Sequence, residues 1–239
     1  MTIDNYQYIN GLYRIKTTNL ETTEGAKRAI STLTLAFSDF VSCDNERRIF
    51  KCEFYENDIL IEDNYISLFW TKIAKIKHAH DDIFIFLNLV KNHMKSGSVT
   101  KLDDENCGLG EHALYALSMV DIKFVPMYSE FLYLWDMGHE VMQSEEIEDI
   151  INQYGWCIEV ENLIIARATC NGQHDFEDLE SFEDLIKENV KDLSSSAFFK
   201  RLVYKTRDLV DEGEWKDSLE WFILPYMHDA AIELVENYE

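Results

Sequence analysis

Two groups of residues have the types and spacing that metal chemistry uses. The first is His78-Ala79-His80-Asp81-Asp82. Alternating histidines both reach one ion when the backbone is extended, and a carboxylate can complete the set. The same residues also describe a polar loop leading into a helix near Asp82, with Asp81 or Asp82 as its cap. The second group is Glu111-His112 with His139-Glu140. A zincin needs His-Glu-x-x-His on one helix, and no such run occurs here. For both groups the simpler reading is taken, and no metal site is expected.

The other catalytic signatures are incomplete. Gly108-Leu109-Gly110 lacks the Gly-Lys-Ser/Thr of a P-loop, and also the preceding strand and third glycine of a dinucleotide site. No Gly-x-Ser-x-Gly elbow occurs. A nucleophilic role for Cys107 would need a histidine base beside it in space, a geometry that sequence does not supply. The expectation is a protein that is not an enzyme and carries no cofactor.

The most unusual segment is acidic. Asp175, Glu177, Asp178, Glu180, Glu183, Asp184, Glu188 and Asp192 are interleaved with Phe176, Leu179, Phe182, Leu185 and Ile186. On a helix this gives an apolar face and a carboxylate face, and only Lys187 and Lys191 offset the charge. A solvated surface helix is one reading, and a docking face for a basic partner is the other. Trp215, near Gly213, joins the candidate partner-binding residues because tryptophan is favoured at interface hot spots. Trp221, next to Phe222 and Ile223, reads as core.

Charge sets the class of partner. The formal charge is −23, from 45 acidic and 22 basic side chains. Residues 1–120 carry 17 acidic and 13 basic residues, whereas residues 121–239 carry 28 and 9. Such a field repels phosphate backbones and anionic membranes and attracts basic proteins. Five cysteines, Cys43, Cys52, Cys107, Cys157 and Cys170, are widely spaced with no Cys-x-x-Cys. The N-terminus has no basic-then-apolar leader, and the apolar stretch Ile83–Val90 is too short to span a bilayer. A reduced, cytoplasmic protein without direct nucleic-acid or membrane contact is expected.

The elements that must hold these residues are helical. With only 9 Gly and 2 Pro in 239 residues, long helices are favoured. Ala26, Ala29, Ile30, Leu33, Phe37 and Phe40 share one helical face. So do Ile66, Phe69, Trp70, Ile73 and Ile76, and again Phe124, Tyr128, Phe131, Leu132 and Trp135. Ile147, Ile150, Ile151 and Tyr154 form the cleanest stripe, with Ser144 placed as N-cap and Gly155 as the left-handed residue after the end. Val160, Leu163 and Ile164 restart the period, followed by Phe182, Leu185 and Ile186, then Phe199, Leu202 and Val203. Met227 to Tyr238 would form a last helix behind Pro225. Phe50, Cys52, Phe54, Ile59 and Ile61 alternate like a hairpin around Glu56-Asn57-Asp58, though a helix fits them almost as well and is favoured. The expected fold is mainly α: a multi-helix domain of paired antiparallel helices, solenoid-like in one variant, with at most one small hairpin near 50–61. One domain is expected over 1–239, with a subdomain boundary in loop 95–110.

In being cytosolic, very acidic, compact and without a catalytic motif, the chain resembles the immunity proteins of bacterial contact-dependent inhibition and other polymorphic toxin systems. The run Gly110 to Leu117, followed by Tyr154-Gly155-Trp156, is similar to that of helical bacterial proteins. The resemblance implies an inhibitor that binds a cognate, basic toxin domain such as a nuclease, and it transfers no site residue by residue. A helical adaptor or regulatory scaffold is the second reading. A metal-dependent enzyme using His78/His80 or His112/His139 is the third.

Overall fold

The structure is a computed structural model. It describes residues 6–43, 49–61, 68–97, 101–102, 111–134, 144–169, 184–193 and 195–209. Helix dominates the described residues, as the apolar periodicity requires. The chain divides into two compact units, Met1–Asp136 and Met137–Glu239. Of the loop expected to hold a boundary at 95–110, the described residues are 95–97 and 101–102.

The first unit contains more strand than the single hairpin expected. β1 (Tyr6–Ile9) and β2 (Leu12–Thr17) form an antiparallel hairpin. Asn10 and Gly11 turn it at φ 54° and 87°, the positive values that a two-residue hairpin turn demands and that Asn-Gly supplies at low cost. β3 (Ile49–Phe50) is followed by β4 (Cys52–Glu56) and β5 (Ile59–Leu60). β4 and β5 pair around Asn57 and Asp58, both also at positive φ. The segment 50–61 is therefore strand, and the helix favoured from sequence is not formed. Its alternation is a pleat, with Cys52 and Phe54 buried and Glu53 between them half-buried. β2 and β4 run parallel, so the sheet order is β1-β2-β4-β5. β3 pairs in parallel with β6 (Lys101–Leu102).

A helix must cross over between the parallel strands β2 and β4, and α1 (Thr23–Ser42) does so. The Thr22 hydroxyl caps it, accepting from the Gly25 N–H at 3.1 Å. Ala26, Ala29, Ile30, Leu33 and Phe37 are buried beneath it as the stripe predicts. α2 (Leu68–Ala74) buries Phe69, Trp70 and Ile73, and Phe69 stacks on Phe54 at 3.7 Å. α3 (His80–Lys95) lies beside α1. Lys27 near the start of α1 meets Asp82 near the start of α3 at 3.3 Å. Phe37 near the end of α1 meets His93 near the end of α3 at 5.7 Å. These two helices are therefore parallel rather than antiparallel, because the chain returns through the sheet between them. α4 (Glu111–Val120) and α5 (Val125–Leu132) complete the described part of this unit, joined by a 3-10 turn at Ile122–Phe124.

In the second unit α6 (Ser144–Tyr154), α7 (Ile158–Thr169) and α8 (Ala197–Leu209) are described, with a short helical stretch at 184–189. Gly155 closes α6 at φ 76°. Its N–H donates to the Ile151 carbonyl at 2.7 Å, the left-handed ending expected there. Among the described residues, no helix is long and apolar enough to cross a membrane.

Candidate functional site

The acidic segment is described only from Asp184 onward. Asp175, Glu177, Asp178, Glu180, Glu183 and Trp215 lie outside the described residues, as do His139 and Glu140. Asp184 is exposed, with its carboxylate 3.9 Å from Lys187 one helical turn away. Such exposed pairs add little stability, so this carboxylate stays available to water or a partner.

A second carboxylate face is described on α6. The stripe Ile147 and Ile150 is buried, which turns Glu145, Glu148 and Asp149 outward. No Lys or Arg occurs anywhere in this helix, SEEIEDIINQY. Glu145 and Glu146 suit the positive end of the helix dipole. Two cations stand in the helices that follow, α7 and α8. Arg167 is buried, at 3% exposure. Arg201 is bound to Glu161, which also accepts from Trp156 Nε1 at 2.8 Å. Glu161 thus fastens the start of α7 to α8.

The His78/His80 pair is not assembled. The segment is helical rather than extended, with a 3-10 turn at Lys77–Ala79 running into α3. Residues two apart on a helix point to opposite sides. His78 is exposed and His80 is 2% exposed. Nor do Asp81 and Asp82 cap the helix. They sit in its first turn, Asp81 bound to Lys123 at 3.1 Å and Asp82 to Lys27.

Structure instead brings His80 to Asp121, 41 residues away. Nδ1 lies 3.1 Å from Asp121 Oδ2, and Nε2 lies 2.6 Å from the Ala74 carbonyl oxygen. The ring packs edge-on against Phe124. Asp121 also caps the 3-10 turn, accepting from the Lys123 N–H at 3.1 Å. Burial works to raise the Asp121 carboxyl. The bonds from Lys123 N–H and His80, with the Lys123 charge, outweigh it and hold the group below the usual carboxylate range. A histidine oriented by an aspartate is half of a catalytic dyad. Here the nitrogen that would serve as base is taken by a backbone carbonyl inside the core. The pair is therefore built to hold elements together.

Comparison of the chain with family models, curated proteins and solved structures finds none that matches. The functional reading rests on the residues alone.

Proposed function

We propose that this protein is an inhibitor of the immunity-protein type. It binds a basic toxin domain, such as a nuclease, through its acidic C-terminal half and works in the cytoplasm. One observation carries the reading: residues 121–239 hold 28 acidic and 9 basic side chains. The carboxylates described there at Glu145, Glu148 and Asp184 face water. Carboxylates so placed take the positions that nucleic-acid phosphates occupy on a basic nuclease, and they speed encounter with it. The apolar helix stripes supply the rigid support that a fixed charge pattern needs.

The reading names its partner by chemistry, and the neighbouring reading frame names it by sequence. A large secreted toxin encoded beside this chain is the expected finding. Expressing the toxin's C-terminal domain should arrest growth, and co-expressing this chain should restore it. If growth stays arrested with the chain present and folded, the inhibitor reading fails. The adaptor reading then takes its place.

A further inference from the structure

We propose that the outer edge of β1 pairs with β1 of a second copy of this chain, joining two four-stranded sheets across a two-fold axis at Tyr8. The contact belongs to the first unit and does not depend on the toxin reading.

The hydrogen bonds show which groups face outward. Opposed residues of an antiparallel pair exchange both backbone bonds or neither. Tyr8 stands opposite Tyr13. The Tyr13 N–H is used on the other side of β2, donating to the Lys51 carbonyl at 2.9 Å. Tyr8 and Tyr13 therefore exchange no bond. The Tyr8 N–H and carbonyl point away from β2, and β1 is the edge of the sheet order β1-β2-β4-β5. Among the described residues neither group has a partner. Proteins ordinarily guard such an edge with charge, proline, a bulge or brevity. The opposite edge, β5, is brief, with two residues. β1 has none of these guards. It is Tyr6-Gln7-Tyr8-Ile9, uncharged and paired in regular register along its length, and its Tyr and Ile suit strands. Gln7, Tyr8 and Ile9 are exposed, Tyr8 at 51%.

Charge and symmetry select a second copy as the occupant. From Tyr6 to Tyr13 there is no charged side chain. Residues 1–120 hold 17 acidic and 13 basic side chains, so most of the negative charge lies elsewhere in the chain. The strand gives a charged partner nothing to pair with, whereas a second β1 brings no like charge against it. One residue that presents both a donor and an acceptor is self-complementary about a two-fold: each Tyr8 N–H donates to the Tyr8 carbonyl of the other copy. That register sets Gln7 of each copy opposite Ile9 of the other and covers Ile9, which is 37% exposed. The interface is isologous and closes at two copies. A four-residue strand buries much less than the ~1,200 Å² of a stable interface, so the dimer is weak and exchanges with monomer.

The test is sedimentation equilibrium of the full chain up to about 1 mM, at low and high salt, for wild type and Tyr8→Pro. Proline removes the outward N–H and leaves the β1–β2 bonds in place, as edge strands tolerate. Wild type should form a reversible dimer that strengthens as salt rises, because each copy carries −23 and salt screens the repulsion between them. Tyr8→Pro should weaken the dimer about tenfold or more through loss of two reciprocal bonds. Circular dichroism establishes that the variant is folded. If it is not, Tyr8→Cys decides. Bonded antiparallel partners have Cα atoms about 5.5 Å apart, within disulfide reach. Mild oxidation should cross-link Tyr8→Cys well beyond wild type, whose exposed Cys43 serves as the control. A chain monomeric throughout, a dimer that folded Tyr8→Pro leaves intact, a dimer weakened by salt, or no added cross-link would overturn the proposal. So would a monomeric chain in which Tyr8→Pro abolishes toxin-domain binding, which would give the edge to that partner.

Discussion

At Gly25 the residue type is dictated by space. A Cβ there would stand 2.0 Å from the Asn19 carbonyl oxygen and 2.6 Å from the Thr18 carbonyl oxygen. Both are backbone atoms, so no side-chain rotation relieves the clash. The loop from Thr18 to Thr22 is itself fixed, because the Thr22 N–H donates to the Asn19 carbonyl and the Thr22 hydroxyl caps α1. Gly25→Ala should therefore destabilise the first unit by about 2 kcal/mol or more, against the gain of a few tenths to one that alanine usually brings to a helix. Urea unfolding checks this, and an unchanged or raised midpoint would show that the loop can move aside. Nothing in the sequence around Gly25 announces this constraint, since it depends on where Asn19 lies in space. His80 is comparable. Its pattern with His78 is visible in sequence and suggests a metal. The partner it actually meets is Asp121, and no local spacing points there. Among the described residues Cys43, Cys52 and Cys157 form no disulfide, while Cys107 and Cys170 lie outside them.

Among the elements, the helices were the most legible. α6 shows why: an acidic first turn, clean apolar stripe and terminal glycine all agree on one answer from Ser144 to Gly155. Strands were less legible because four to six residues give a period of two little room to show itself. The hairpin Tyr6–Thr17 nevertheless has its signal in Asn10-Gly11, which a reading led by helical periodicity passes over. Parallel pairing of β2 with β4 could not be read at all, since it is set by the packing of α1. Once formed, the sheet is tied to its helices by Glu56. This carboxylate accepts from the Leu20 N–H at 2.9 Å and from Lys72 Nζ at 2.7 Å. The Lys72 bond, then the Leu20 N–H, hold its carboxyl below the usual range against the opposing effect of burial. A lowered folded-state pKa stabilises above the unfolded value of about 4.3 and is lost as pH falls through the folded one. Glu56→Gln should accordingly cost about 1–3 kcal/mol at neutral pH. The difference from wild type should shrink as the solution is acidified below about pH 4. Equal stability at pH 7, or a gap that persists in acid, would mean the tie is unimportant.

For the molecule as a whole, charge is the property that sequence states most plainly and that constrains function most. The asymmetry between residues 1–120 and 121–239 needs no structure to be seen. What the structure adds is that Glu145 and Glu148 stand outward on a rigid helix with no Lys or Arg of its own. A basic partner approaching such a surface is steered by long-range attraction, so its association rate should fall as salt rises. Exposed charges are screened within about 8–10 Å at physiological ionic strength. Two charge-reversed proteins separate the described face from the acidic segment that precedes Asp184. One carries Glu145→Lys with Glu148→Lys, and the other carries Glu177→Lys, Asp178→Lys and Glu180→Lys. In stopped-flow mixing with the toxin domain at two salt concentrations, the protein reversed on the docking face should associate more slowly and show a shallower salt slope. Dissociation should change less, because rim charges act chiefly on encounter. Circular dichroism and thermal unfolding of each variant establish that the fold is kept. If one variant loses its salt dependence, docking is assigned to that face. If both keep the wild-type rate and slope, these carboxylates are only a solvated surface, and steering through the acidic half is refuted.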